Sequence, residues 1–344
     1  MLPEPTLTLT LPSIHDGLTL DCRIYHPLSL SANPKAPTWL KHAAVVAHPY
    51  APMGGCYDDP VVGGAAAQLL RKGFLVGTFN FRGAHGSAGR TSWTAKPERD
   101  DYATVVAFVL HYVHDLDPFR PHIDNTLHSE PSTPTRLEAP ISLDAAVTSA
   151  PRPRPILLMG GYSYGGMIVT QIPPLDAILQ PFISPIAGSD AAEVRLRAAH
   201  LAEQQNINPP TAVVPPEPGE HLPRITDLTM PRPAYLMISP PQGVVTHLAT
   251  MSLLPSALVK NKDPQDVAAE EKLVRNPSLV IFGDEDGFAP VGKFRSWKAK
   301  MEGKMGSQFK GTEIETAGHF WVEEGVLDQL GERVGEFADE LLAG

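Results

Sequence analysis

The apolar stretch Ile156-Leu157-Leu158-Met159 runs straight into Gly160-Gly161-Tyr162-Ser163-Tyr164-Gly165-Gly166. That order predicts a buried strand, a sharp turn and the start of a helix. Gly161, Ser163 and Gly165 form a G-x-S-x-G pattern. A turn this tight strains its central residue, and larger neighbours would clash with it. It lifts the serine hydroxyl above the sheet. The amides that open the following helix then point towards any negative charge formed beside it.

The segments around this turn repeat the same theme. Leu7–Leu11 and Leu18–Tyr25 alternate apolar and polar residues about Asp16-Gly17, which predicts an antiparallel pair of strands. Ala43–Ala47, Phe74–Phe79, Ala234–Ile238 and Ser278–Gly283 are continuous apolar runs, as expected of strands covered on both faces. A further strand is expected near 312–316. Helices are expected from an Asp59 cap with Pro60 at the first position, and at about 98–114, 189–205, 243–258, 264–274, 291–301 and 324–342. The helix after Ser163 should end by Pro173-Pro174. Alternating strands and helices give an α/β fold: a mostly parallel, twisted sheet of about eight strands flanked by helices. The 344 residues are read as one domain, 1–344. Residues 115–154 are expected to form a long surface loop, and 181–233 an insertion acting as a partial lid that carries Leu196 and Leu201.

Composition narrows the function. The formal net charge of -10, with no Lys/Arg-rich stretch, argues against nucleic acid as a partner. No run of 18 or more apolar residues would span a membrane. Met1-Leu2-Pro3-Glu4-Pro5 does not open like a secretory signal, and the two cysteines, Cys22 and Cys56, read as free thiols. A cytoplasmic location is expected.

A serine hydroxyl is a weak nucleophile at neutral pH. It needs a base within hydrogen-bond reach, and the base needs an acid to fix its tautomer. Both follow Ser163 in the chain. His319, behind Gly318, is the one histidine beyond residue 247. The acid comes from Gly283-Asp284-Glu285-Asp286-Gly287-Phe288-Ala289-Pro290. Asp286 is the choice, because it lies past the strand end where a turn can aim it at His319. Asp284 reads as a turn or cap residue and Glu285 as a solvated one.

These residues together resemble the α/β-hydrolase superfamily: the elbow Gly161-Tyr162-Ser163-Tyr164-Gly165, the acid loop with Gly283, Asp286 and Pro290, and the Gly318-His319 pair. His48-Pro49-Tyr50 with Gly54-Gly55, and Asn80-Phe81-Arg82-Gly83, look like small dienelactone-hydrolase-like and prolyl-oligopeptidase-like members. The resemblance implies an oxyanion hole made by the amide of Tyr164 and a second one from Tyr50 or Ala51, with Tyr50 favoured. It implies a serine hydrolase acting on a carboxylic ester, with a small-molecule ester or acyl substrate and neither cofactor nor metal. The alternatives are an acyltransferase, thioesterase or peptidase using the same triad, or a non-catalytic binding module on this fold.

Other patterns carry less. Residues 287–294, GFAPVGKF, fall one residue short of a phosphate loop and place Phe294 where a Ser or Thr belongs. Gly83, Gly86 and Gly89 read as a tight turn. His111, His114, His122 and His128 read as part of a solvated polar segment rather than a metal site. Arg82 is expected to pair with a carboxylate near the strand ends, and Trp321 either borders the site or packs in the core.

Overall fold

The computed structural model describes residues 1–30, 39–117, 154–206, 219–241 and 264–344. Its centre is an eight-stranded sheet in the order β1-β2-β4-β3-β5-β6-β7-β8. The strands are β1 (Leu7–Pro12), β2 (Thr19–Tyr25), β3 (Ala43–Ala47), β4 (Leu75–Phe79), β5 (Ile156–Tyr162), β6 (Arg232–Ile238), β7 (Ser278–Gly283) and β8 (Phe309–Ile314). The first two strands enter antiparallel, and β2 also meets β4 antiparallel. From β4 to β8 every pairing is parallel.

Period two divides the sheet's side chains between two cores. Val45, Ala47, Leu157, Met159, Val280 and Phe282 face one cluster. Ala44, Val46, Ile156, Leu158, Leu279 and Ile281 face the other. The first cluster is closed by α2 (Lys96–Asp115), α3 (Tyr164–Gln171), α4 (Leu175–Leu179), α5 (Asp190–Gln205), α6 (Pro264–Arg275) and α7 (Val291–Glu302). The second is closed by α1 (Pro60–Arg71) and α8 (Val326–Ala343). Asp59 caps α1, its side chain accepting from the amides of Val61 and Val62. In α8, Val326, Leu330, Val334, Phe337 and Leu341 form one buried stripe. Among the described residues no helix is long and apolar enough to cross a membrane.

The structure corrects several boundaries. The last strand starts at Phe309, earlier than expected near 312–316. It lies at the sheet's edge, and the exposed Lys310 and part-exposed Gly311 hide its pattern. Pro173-Pro174 ends α3 as expected, but Pro174 also opens the short α4, which was not anticipated. His111 is not solvated. It is buried because α2 is packed on by the sheet on one side and by α5 on the other. The sequence separation of α2 and α5 concealed that partnership. Trp321 lies in the core on the α8 side. The helix expected at 243–258 and most of the loop at 115–154 lie outside the described residues. Of the expected lid, α5 packs on α2 and β1, with Val194, Ala198 and Ala202 buried in the core and Leu196 exposed. None of its described residues lines the cavity above Ser163.

One buried lysine holds the far end of α3. The Lys272 amino group, on α6, donates to the carbonyls of Val169 at 2.8 Å, Thr170 at 3.3 Å and Ile172, while burial pushes its pKa well below the usual amine value. These are groups that a helix leaves without an internal partner at its C-terminus, where a cation is favoured. Lys272→Met removes all three donors. Each orphaned carbonyl costs about 1–3 kcal/mol, and neighbouring backbone or water recovers part of it. Urea unfolding is expected to show a net loss of about 3 kcal/mol. A loss below about 1 kcal/mol would mean that the three contacts contribute little.

Candidate active site

The elbow is built by close backbone approach. Ser163 has φ 50° and ψ -114°, a conformation that costs a non-glycine residue about 1–3 kcal/mol. Two hydrogen bonds hold it there: Ser163 N–H donates to Ile238 O at 2.8 Å, and Gly165 N–H to His48 O at 3.1 Å. A side chain at Gly161 would meet the Gly165 carbonyl at 2.4–2.5 Å. One at Gly165 would meet the carbonyl oxygens of Ala47 and His48 at 2.6 and 2.7 Å. The two glycines let β3, β5 and the start of α3 converge beneath the serine.

The three residues expected to act together come from three separate chain regions. Ser163 follows β5, Asp286 lies in the loop after β7, and His319 lies in the loop after β8. Ser163 Oγ is 2.9 Å from His319 Nε2. His319 Nδ1 lies 2.8 and 3.0 Å from the two oxygens of Asp286. Asp286 is buried, and burial alone would raise its pKa. The hydrogen bond and charge of His319, with the amides of Phe288 and Ala289, outweigh that and hold it below the usual carboxylate value. An ionised Asp286 only accepts, so the proton on His319 sits on Nδ1 and the lone pair of Nε2 faces Ser163. The same depression makes Asp286 a contributor to stability above its unfolded-state pKa. That contribution is lost as pH falls through the folded-state value.

Sequence reading left two features of this arrangement unseen. The Tyr162 hydroxyl donates to the carbonyl of His319 at 2.7 Å, tying the elbow to the histidine loop. The Phe288 ring lies 4.5 Å from the imidazole. Neither has a local sequence signal, because both depend on contacts between distant loops. Asp284 and Glu285, the rival acids, make no hydrogen bond to His319 among the described residues.

The loop after β3 closes the other side. His48 is buried and neutral. Burial takes its pKa to about 4, even though the hydrogen bond to Pro49 O at 2.5 Å works the other way. Its Nε2 accepts from Phe81 N–H at 2.8 Å, so both ring nitrogens are committed to structure. The Tyr50 carbonyl accepts from the amides of Met53 and Gly55. Among the described residues the amides of Tyr50 and Tyr164 have no backbone acceptor. Both residues line the cavity above Ser163, whereas Ala51, the other residue considered, does not. That cavity holds about 370 Å³. Tyr50, Met53, Phe288 and Phe320 form its apolar walls, and Ser163 and His319 its floor. Asp59, read from sequence only as a helix cap, also lines it.

Arg82 pairs with carboxylates as expected. Its guanidinium donates from Nε and Nη2 to Asp101 at 2.9 and 2.7 Å and from Nη1 to Asp16 at 2.9 Å. Ser13 Oγ donates to Asp101 at 2.6 Å. Burial works against the charge on Arg82, and the two carboxylates more than offset it.

No family model matches the chain, and no curated protein matches it. Solved structures do. One is a member of the α/β serine hydrolases without a lid from Xanthomonas campestris, with TM-score 0.50 and 19% identity, covering 99% of this chain and 97% of that one. Another is Est1E from Butyrivibrio proteoclasticus with ferulic acid bound, with TM-score 0.51 and 15% identity, covering 98% of this chain and 100% of that one. At such identities the likeness is one of fold. The chain has the α/β-hydrolase fold.

Proposed function

We propose that the protein is a serine hydrolase that cleaves carboxylic esters through an acyl-enzyme on Ser163. The observation that carries this reading is the continuous hydrogen-bonded line from Ser163 Oγ through His319 to Asp286. His319 Nε2 takes the hydroxyl proton as Oγ bonds to the ester carbonyl carbon. The carbonyl oxygen becomes an oxyanion, held by the Tyr50 and Tyr164 amides at the positively polarised start of α3. Collapse of that intermediate breaks the bond to the alcohol oxygen, which receives the proton from His319. Water then attacks the acyl-serine by the same route, releasing the acid and restoring Ser163. Asp286 stays ionised and stabilises the imidazolium formed in each half-reaction.

A cavity of about 370 Å³ with apolar walls suits an ester with a small or medium apolar group. Stopped-flow mixing with p-nitrophenyl acetate tests the mechanism. A burst of p-nitrophenol close to the enzyme concentration should precede a slower steady rate. Ser163→Ala should lose both phases. Equal turnover in that variant would remove Ser163 from the chemistry.

A further inference from the structure

Asp59 stands apart in this cavity. Oδ1 accepts from the amides of Val61 and Val62 at 2.8 and 3.4 Å. Oδ2 has no protein donor among the described residues, and Asp59 is part-exposed, so water reaches it. No lysine or arginine is among the cavity's described lining residues. The other carboxylate of the site, Asp286, is answered by His319 and two amides. Burial raises the pKa of Asp59, and the two cap amides only partly offset it. A helix cap uses one carboxylate oxygen, so capping commits Oδ1 and leaves Oδ2 available to solvent or to a ligand.

The walls point the same way. Tyr50, Phe288 and Phe320 line the same space, and aromatic faces attract a cation through their negative ring faces. A carboxylate with one oxygen free of protein donors among the described residues, and several aromatic rings in a small space, form an environment that gains from a positive ligand.

We propose that the cavity above Ser163 selects esters carrying an ammonium group, with Asp59 Oδ2 as its acceptor and Tyr50, Phe288 and Phe320 packing against the carbons beside it. This rests on reading the cavity as an ester-cleaving site, and it adds the substrate's charge to that reading. Asp59 is then a specificity-determining residue as well as the cap of α1.

Calorimetry with two probes of the same chain length, n-hexylammonium and 1-hexanol, tests it without relying on turnover. The protein should bind the ammonium at least about tenfold more tightly, which corresponds to about 1.4 kcal/mol. Asp59→Asn keeps a good capping side chain while removing the charge. It should bring the two affinities within about threefold of each other, with an unchanged melting temperature showing that α1 remains capped. Equal binding of both probes by the unaltered protein would overturn the proposal, and so would an ammonium preference that survives Asp59→Asn. Failure of these binding results with an intact p-nitrophenol burst removes only the role of Asp59. Loss of the burst with an intact ammonium preference removes the esterase reading and leaves a cation-binding cavity.

Discussion

His319→Ala is expected to lower ester turnover by about 10⁴–10⁶-fold while leaving KM within about threefold. The imidazole is the only base within hydrogen-bond reach of Ser163 among the described residues. His48 is no substitute, since both its nitrogens are occupied and burial keeps it neutral. Truncating His319 removes one transition-state interaction and leaves the aromatic walls and the amides of Tyr50 and Tyr164 in place. The loss should therefore fall on kcat. A variant retaining more than about a tenth of the turnover would show that another group activates the serine.

The largest effect on stability is expected at Asp101. It is fully buried, and it accepts from Ser13 Oγ, the Arg82 amide and two guanidinium nitrogens of Arg82. Asp101→Ala leaves that guanidinium, itself only 4% exposed, with the half-exposed Asp16 as its remaining carboxylate. Breaking a buried pair from one side costs about 3–5 kcal/mol, a large share of the roughly 5–15 kcal/mol that holds a domain together. Replacing both partners, as in Arg82→Met with Asp101→Leu, should cost less than Asp101→Ala alone, because no charge is stranded. Urea unfolding of the single and double variants checks this order. A double variant less stable than Asp101→Ala would mean that the network's polar bonds, rather than its balanced charge, are what stabilise it.

The network also reaches the candidate site. It joins the β1–β2 turn to the end of β4 and the first turns of α2. Glu98 on α2 lies close enough to the Tyr164 hydroxyl for its charge to raise that group's pKa, second to burial.

What the sequence made legible follows from how local each constraint is. The elbow was visible because its geometry needs glycine at Gly161 and Gly165, and no other residue fits the 2.4–2.7 Å approaches there. Asp286 could be chosen over Asp284 and Glu285 because strand β7 ends at Gly283 and the turn beyond it has a limited reach. Continuous apolar runs marked the central strands because both faces of those strands are covered.

Long-range partners left no such trace. Lys272 sits in an amphipathic stretch where a lysine reads as solvated, yet it is buried against the end of α3. His111 reads as polar and is buried by α5, which lies more than seventy residues on in the chain. Asp59 carries a strong cap signal, and that signal masked its second position on the cavity wall. Each depends on which surfaces the fold brings together, and neither periodicity nor turn chemistry encodes that.

An activated Ser163 nucleophile should react with electrophiles that mimic an ester carbonyl. A fluorophosphonate probe followed by intact mass and peptide mapping tests it most directly. One adduct per chain is expected, on Ser163, forming far more slowly in His319→Ala and absent in Ser163→Ala. An unmodified protein under conditions that label a known serine hydrolase, or an adduct on any other residue, would contradict it.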